Sequence, residues 1–241
     1  PDMIHLLREK GFTGRIDVIS NGSLLTQKMS DQLIKAGISR IQISVQGLTT
    51  EKYQEICQVP IDIKQLKENI RYFYEHKENA TIYVKIIDSI LENKEEEKLF
   101  FQLFGDICDT IYIEHLVIME QQMGNHGRFV DSTRNLMGEL VEQRMVCGVM
   151  FYFLQVNIDG ETFPCSTPGL PNSFSMGSIQ EKSLLEIWND RKRNGLIRKN
   201  LIDGYKTIPA CKTCSSCIAI ADKSEYLDDC REEVLLRFPP K

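Results

Sequence analysis

No apolar run in this sequence is long enough to cross a bilayer, which takes about 20 predominantly apolar residues. No signal peptide opens it. Neither sign of charge dominates: 29 basic against 34 acidic residues leave a net charge of −5. Neither nucleic acid nor a membrane is therefore an expected partner, and the expected compartment is the cytoplasm. Internal repeats and low-complexity segments are absent. The chain also lacks an initiating methionine: it begins at Pro1 and runs quickly into a helix-like stretch over residues 3–10. That start reads as a cut inside a longer protein, with a processed natural terminus as the alternative. Cysteine is scarce for a disulfide-built scaffold, at eight in 241 residues.

What is present divides into two regions. The length suits one large domain, or a domain of about 130 to 150 residues plus a smaller one, and 42% hydrophobic residues suffice for an ordinary core. In the first region strands and helices alternate. Residues 15–20 (RIDVIS), 40–45 (RIQISV), 81–87 (TIYVKII) and 110–118 read as strands. Helices are expected at 27–36, closed by Gly37, after the Asp62/Gln65 pair that patterns as a capping box, and at 95–104. Such alternation implies right-handed βα units on a parallel sheet. Four strands are about half of a (β/α)₈ barrel. The region is thus part of a barrel or a small open sheet. A polar, loop-like stretch follows (Met123 to Gly127), then an expected helix over 132–145. Beyond it, 151–158 and 161–163 read as a hairpin around Asp159-Gly160. A short helix at 183–191 carries Trp188, and the remainder reads as irregular.

Six of the eight cysteines lie in the last 95 residues: Cys147, Cys165, Cys211, Cys214, Cys217 and Cys230. A C-x₂-C pair lets two thiolates reach one centre from a single turn, and distant cysteines complete the shell. Iron–sulfur clusters and structural zinc both use this arrangement. Spacing points to metal before disulfides and leaves the choice of metal open.

The neighbouring residues carry a resemblance. Gly160-x₄-Cys165, then Met176-Gly-Ser-Ile179, Leu184-Leu-Glu-Ile-Trp188 and the cysteine triplet resemble the SPASM/twitch auxiliary-cluster domain of radical S-adenosylmethionine (SAM) enzymes. In the first region Ser20-Asn21-Gly22, Leu24-Leu25-Thr26, Leu33 and Ala36-Gly37 resemble the same superfamily's "TNG-x-L-L-T … L-x-x-A-G" segment. Residues 41–47 (IQISVQG) resemble its next strand, and the likeness runs from about residue 10 to residue 217. The superfamily's Cys-x₃-Cys-x₂-Cys and its Gly-Gly-Glu segment are missing from these 241 residues.

The resemblance implies an α/β fold. A partial (β/α) radical SAM barrel (1–118) leads through a connecting loop and helix (119–145) to a small α+β cysteine-rich SPASM/twitch domain (146–241). It implies one auxiliary [4Fe–4S] cluster held by Cys147, Cys165, Cys211 and Cys214, with Cys217 as the substitute ligand, Cys230 as a further candidate, and two clusters as the other option. SAM and a second [4Fe–4S] belong to the full-length enzyme. Ser20 and Ser44 would contact SAM, since a hydroxyl can donate or accept in a confined site. The implied partners are a small-molecule or peptide substrate and an electron donor such as flavodoxin or ferredoxin. The implied activity is radical hydrogen abstraction, as in cyclitol oxidation, peptide modification or sulfatase maturation; the rival is a zinc-stapled interaction module. Of the other residues, Cys57 and Cys108 read as buried small hydrophobes. His115, beside Glu114, reads as a structural histidine or an active-site lining, and His126 as exposed.

Overall fold

A computed structural model describes residues 1–117, 133–219 and 223–240. The loop-like stretch containing His126 lies outside them. Contacts divide the chain into two units, Pro1–His115 and Leu116–Lys241.

The first unit begins with α1 (Asp2–Glu9), followed by β1 (Asp17–Ser20), α2 (Gln27–Ala36), β2 (Arg40–Val45), α3 (Thr50–Cys57), α4 (Ile63–His76), β3 (Thr81–Ile87), α5 (Lys94–Phe104) and β4 (Thr110–Glu114). The strands form one parallel sheet in the order β1-β2-β3-β4. Alternation along β2 and β3 decides what each face does. Ile41, Ile43, Val45, Ile82, Val84 and Ile86 are buried and share one core with Leu33, Leu66, Ile70, Phe73, Phe100 and Phe104 of the helices. Arg40, Gln42, Ser44, Tyr83 and Lys85 occupy the intervening positions and are half-buried. A parallel sheet covered by helices on both sides has near-continuous apolar strands; this one has a helix-covered face and a polar face, as a barrel interior requires.

Caps delimit the helices. Thr26 accepts from Met29 N at 3.2 Å, and Gly37, at φ 82°, closes α2 in the left-handed region. Asp62 accepts from Lys64 N and Gln65 N, but the Gln65 side chain donates to Asn69, so only half of the expected box exists.

The second unit contains α6 (Val149–Tyr152), β5 (Gln155–Val156), β6 (Glu161–Phe163), β7 (Gly177–Ser178), α7 (Leu184–Trp188), α8 (Arg191–Asp203), α9 (Ser216–Ala219) and α10 (Arg231–Leu235). Strands β5, β6 and β7 form a small antiparallel sheet. The expected hairpin exists, but its first strand is short because 149–152 coil into α6. Gly160, at φ +86°, makes its turn, and a side chain there would press on Ile179.

Three expectations fail. Residues 133–145 form no helix; they fold into a turn closed by an Arg134–Leu140 bridge. Asn135 explains this, because its carboxamide oxygen accepts from Met137 N (3.0 Å) and Glu139 N (2.9 Å) in place of helical bonds. The stretch after Trp188 is not irregular but holds the 13-residue α8. Cys57 is exposed rather than buried, whereas Cys108 is buried as expected.

Candidate metal centre

Three separate segments bring cysteines into the core of the second unit. Cys147 lies just before α6, Cys165 follows β6 through Pro164, Cys211 and Cys214 lie on the turns leading into α9, and Cys217 is in its first turn. Cys147, Cys165, Cys211 and Cys217 are buried, and Cys214 is half-buried.

Their contacts interlock. Cys217 Sγ donates to Val146 O, the carbonyl of the residue before Cys147, at 3.6 Å. The Thr167 hydroxyl touches both Cys165 Sγ (3.5 Å) and Cys214 Sγ (3.7 Å), and it is held by Ser216 Oγ at 2.9 Å. Ser216 N donates to Cys214 Sγ at 3.3 Å. Asn200, fully buried on α8, brackets Cys147: its oxygen accepts from Cys147 N at 3.0 Å and its nitrogen donates to Cys147 O at 2.9 Å.

Electrostatics follow from this crowding. The Cys147 thiol is pushed well up, first by its hydrogen bond with Cys217 and then by burial. Burial raises Cys165, and it raises Cys211 to about 12, with neighbouring thiols adding to both. Left alone, these three thiols stay protonated; a cationic centre is what would make thiolates favourable here. Cys230 stands on another element, at the start of α10, and its thiol donates to Leu227 O at 3.7 Å. A cavity of about 290 Å³ opens beside Cys214, with Gln143, Lys206, Lys212 and Thr213 in its wall.

In the first unit the two candidate serines are not brought together. Ser20 is in register with Ile43, so the pleat puts its side chain on the helix-covered face, and its oxygen accepts from Gly22 N at 3.1 Å. Ser44 is on the polar face. There Tyr112 donates to Gln42 at 3.2 Å and Lys85 pairs with Glu114. His115 Nδ1 lies 2.6 Å from Asp88, at the carboxyl ends of β4 and β3.

Comparison with known proteins places these features. Residues 147–217 match the SPASM iron–sulfur cluster-binding domain, and residues 2–102 match the radical SAM superfamily. The chain thus carries a radical SAM domain followed by a SPASM domain. It is 21% identical over 255 residues to the tungsten-containing aldehyde ferredoxin oxidoreductase cofactor-modifying protein of Pyrococcus furiosus, covering 89% of this chain and 68% of that protein. Among solved structures, Streptococcus suis SuiB bound to S-adenosylmethionine has its fold, with a TM-score of 0.57 at 12% identity. BtrN in complex with AdoMet and 2-DOIA aligns with a TM-score of 0.48 at 15% identity. The match spans 92% and 88% of this chain but only 61% and 63% of those two.

The radical SAM domain implies SAM and a [4Fe–4S] cluster, and the SPASM domain an auxiliary iron–sulfur cluster. The second unit offers thiols to such a group: Cys147, Cys165 and Cys211 come from three segments into one buried core, and burial and neighbouring thiols raise all three above the ordinary thiol range. No helix among the described residues is long and apolar enough to cross a membrane.

Sequence reading missed the residues that hold these cysteines, Thr167, Ser216 and Asn200, and the buried Arg193 beside Asn200 on α8. Arg193, Ile197, Asn200 and Leu201 are spaced to share one helical face and are the buried residues of α8. The spacing was present, but half of that face is polar, so it carried no hydrophobic period.

Proposed function

We propose that this chain is part of a radical SAM oxidoreductase whose auxiliary [4Fe–4S] cluster is held by Cys147, Cys165, Cys211 and Cys214, with Cys217 able to substitute. The observation carrying the reading is the interlocked thiol group within a stretch that matches a cluster-binding domain. When bound, SAM and the clusters supply a 5′-deoxyadenosyl radical that takes hydrogen from substrate, and an acceptor for the electron left behind. The protein's own part is to bind, orient and enclose. Asn200 fixes the backbone at Cys147, and the Thr167–Ser216 pair fixes the Cys165 and Cys214 sulfurs. Ser44, on the polar face, is the hydroxyl we assign to SAM, and Ser20 shapes the Gly22 turn. Cys230 is left outside the ligand set.

The partners that go with this reading are a small-molecule or peptide substrate and an electron donor such as flavodoxin or ferredoxin. The name of the Pyrococcus relative adds cofactor modification to the candidate substrate classes. A zinc staple would need several ligands converging on one ion, with sulfurs about 3.8 Å apart for Zn–S bonds of about 2.3 Å. No three ligand-type side chains among the described residues are placed to share a single ion. Metal and acid-labile sulfide analysis of anaerobically prepared protein tests the reading. Iron with matching sulfide is expected; zinc without sulfide would overturn it.

A further inference from the structure

Helix α8 buries a cation where no anion meets it. Arg193 is 2% exposed. Its Nη2 donates to Met150 O at 2.8 Å and to Phe151 O at 3.5 Å, and its Nη1 donates to Trp188 O at 3.2 Å. The guanidinium lies 3.5 Å from the centre of the Trp188 ring. Nε has no hydrogen-bond partner, and no carboxylate lies within ion-pair distance of Arg193 among the described residues. A guanidinium kept in a core on carbonyls and a ring alone is an expensive arrangement. It persists only where something repays it.

We propose that Arg193 is a positioning residue for the auxiliary cluster, pinning the turn that carries Cys147 and supplying buried positive charge that favours the cluster's reduced state. The inference rests on the reading of Cys147 as a ligand.

Two observations converge on it. The first is mechanical. Arg193 holds the carbonyls of Met150 and Phe151, on the turn of α6 that begins two residues after Cys147. Asn200, two turns further along α8, holds Cys147 N and O. One face of one helix therefore fixes both the backbone of Cys147 and the turn that follows it. The second observation is the charge. A [4Fe–4S] centre bound by four thiolates is anionic in both of its common oxidation states and gains negative charge on reduction. A buried cation bonded to the carbonyl of Met150, three residues from Cys147, is then the missing counter-charge, and it favours the electron's arrival. Net charge and hydrogen bonds to the sulfurs are established determinants of cluster potential.

The test uses the whole chain, reconstituted anaerobically as wild type, Arg193→Lys and Arg193→Met. Iron and sulfide are measured first, then the reduction potential of the auxiliary cluster by a spectroscopically monitored titration, with thermal unfolding alongside. Methionine keeps an apolar stem against Trp188 and removes the charge; lysine keeps the charge and loses the planar fork. We expect cluster in all three proteins, a more negative potential in Arg193→Met, and recovery of most of that shift in Arg193→Lys. A fully loaded Arg193→Met protein with the wild-type potential would overturn the proposal and leave Arg193 a packing residue. Should Arg193→Met not fold, Arg193→Gln gives the same comparison of charge. Wild-type protein that takes up no iron and sulfide would instead overturn the cluster reading on which the proposal rests.

Discussion

At the scale of single residues, side chains that are not ligands decide how the cysteines are held. Asn200 is the clearest. Replacing it with alanine leaves the Cys147 N–H and C=O unpaired in a buried position. Each such orphan costs about 1–3 kcal/mol, so Asn200→Ala should destabilise the protein by about 2–4 kcal/mol in denaturant unfolding. Cys57→Ser, at an exposed position, should stay within about 0.5 kcal/mol of wild type in the same assay. The candidate ligand cysteines stood out in the sequence because C-x₂-C spacing is itself the geometry of shared ligation. Cys57 misled because Ile56 and Val59 flank it, yet Val59 is itself exposed. Thr167 could not be read at all: a threonine two residues after Cys165 gains its role only when Ser216 and Cys214 arrive from 49 and 47 residues away.

At the scale of elements, the parallel sheet was readable and the second unit only partly so. Strict alternation in 40–45 and 81–87 encodes both the strand and which face meets the helices. Helix α8 hid because Arg193 and Asn200 occupy its buried face, and 133–145 misled because Asn135 turns the chain with its own side chain. Among the described residues, β2 and β3 have strand partners on both edges, whereas β1 and β4 have one each. Hydrogen exchange should therefore be slowest at Ile41, Ile43, Ile82 and Val84, and faster at Val18 and Ile111; equal protection across the four strands would contradict this account of the sheet. Phe73, fully buried on α4, anchors the helical layer. Phe73→Ala should cost about 3–5 kcal/mol in unfolding free energy.

At the scale of the whole molecule, the two units have different sources of order. The first has a conventional core of strands and helices. The second has two- and three-residue strands, and its buried cluster includes Cys147, Cys165, Cys211 and Cys217. A cluster joining those segments would act as a staple, so chelating or oxidising it away should unfold the second unit before the first. Activity follows a separate logic. These 241 residues contain no Cys-x₃-Cys-x₂-Cys, and C-x₂-C-x₂-C is the only tight triplet. This chain by itself, reconstituted and supplied with dithionite, should release no 5′-deoxyadenosine from SAM above a protein-free control.

The central claim is that the grouped thiols of the second unit are the ligands of an iron–sulfur cluster. The direct measurement is the iron and sulfide content of wild type and of the Cys211→Ala/Cys214→Ala double variant after anaerobic reconstitution. About four irons with about four sulfides are expected per wild-type chain, and loss of both, with a destabilised second unit, in the double variant. Wild-type iron content in the double variant would contradict it.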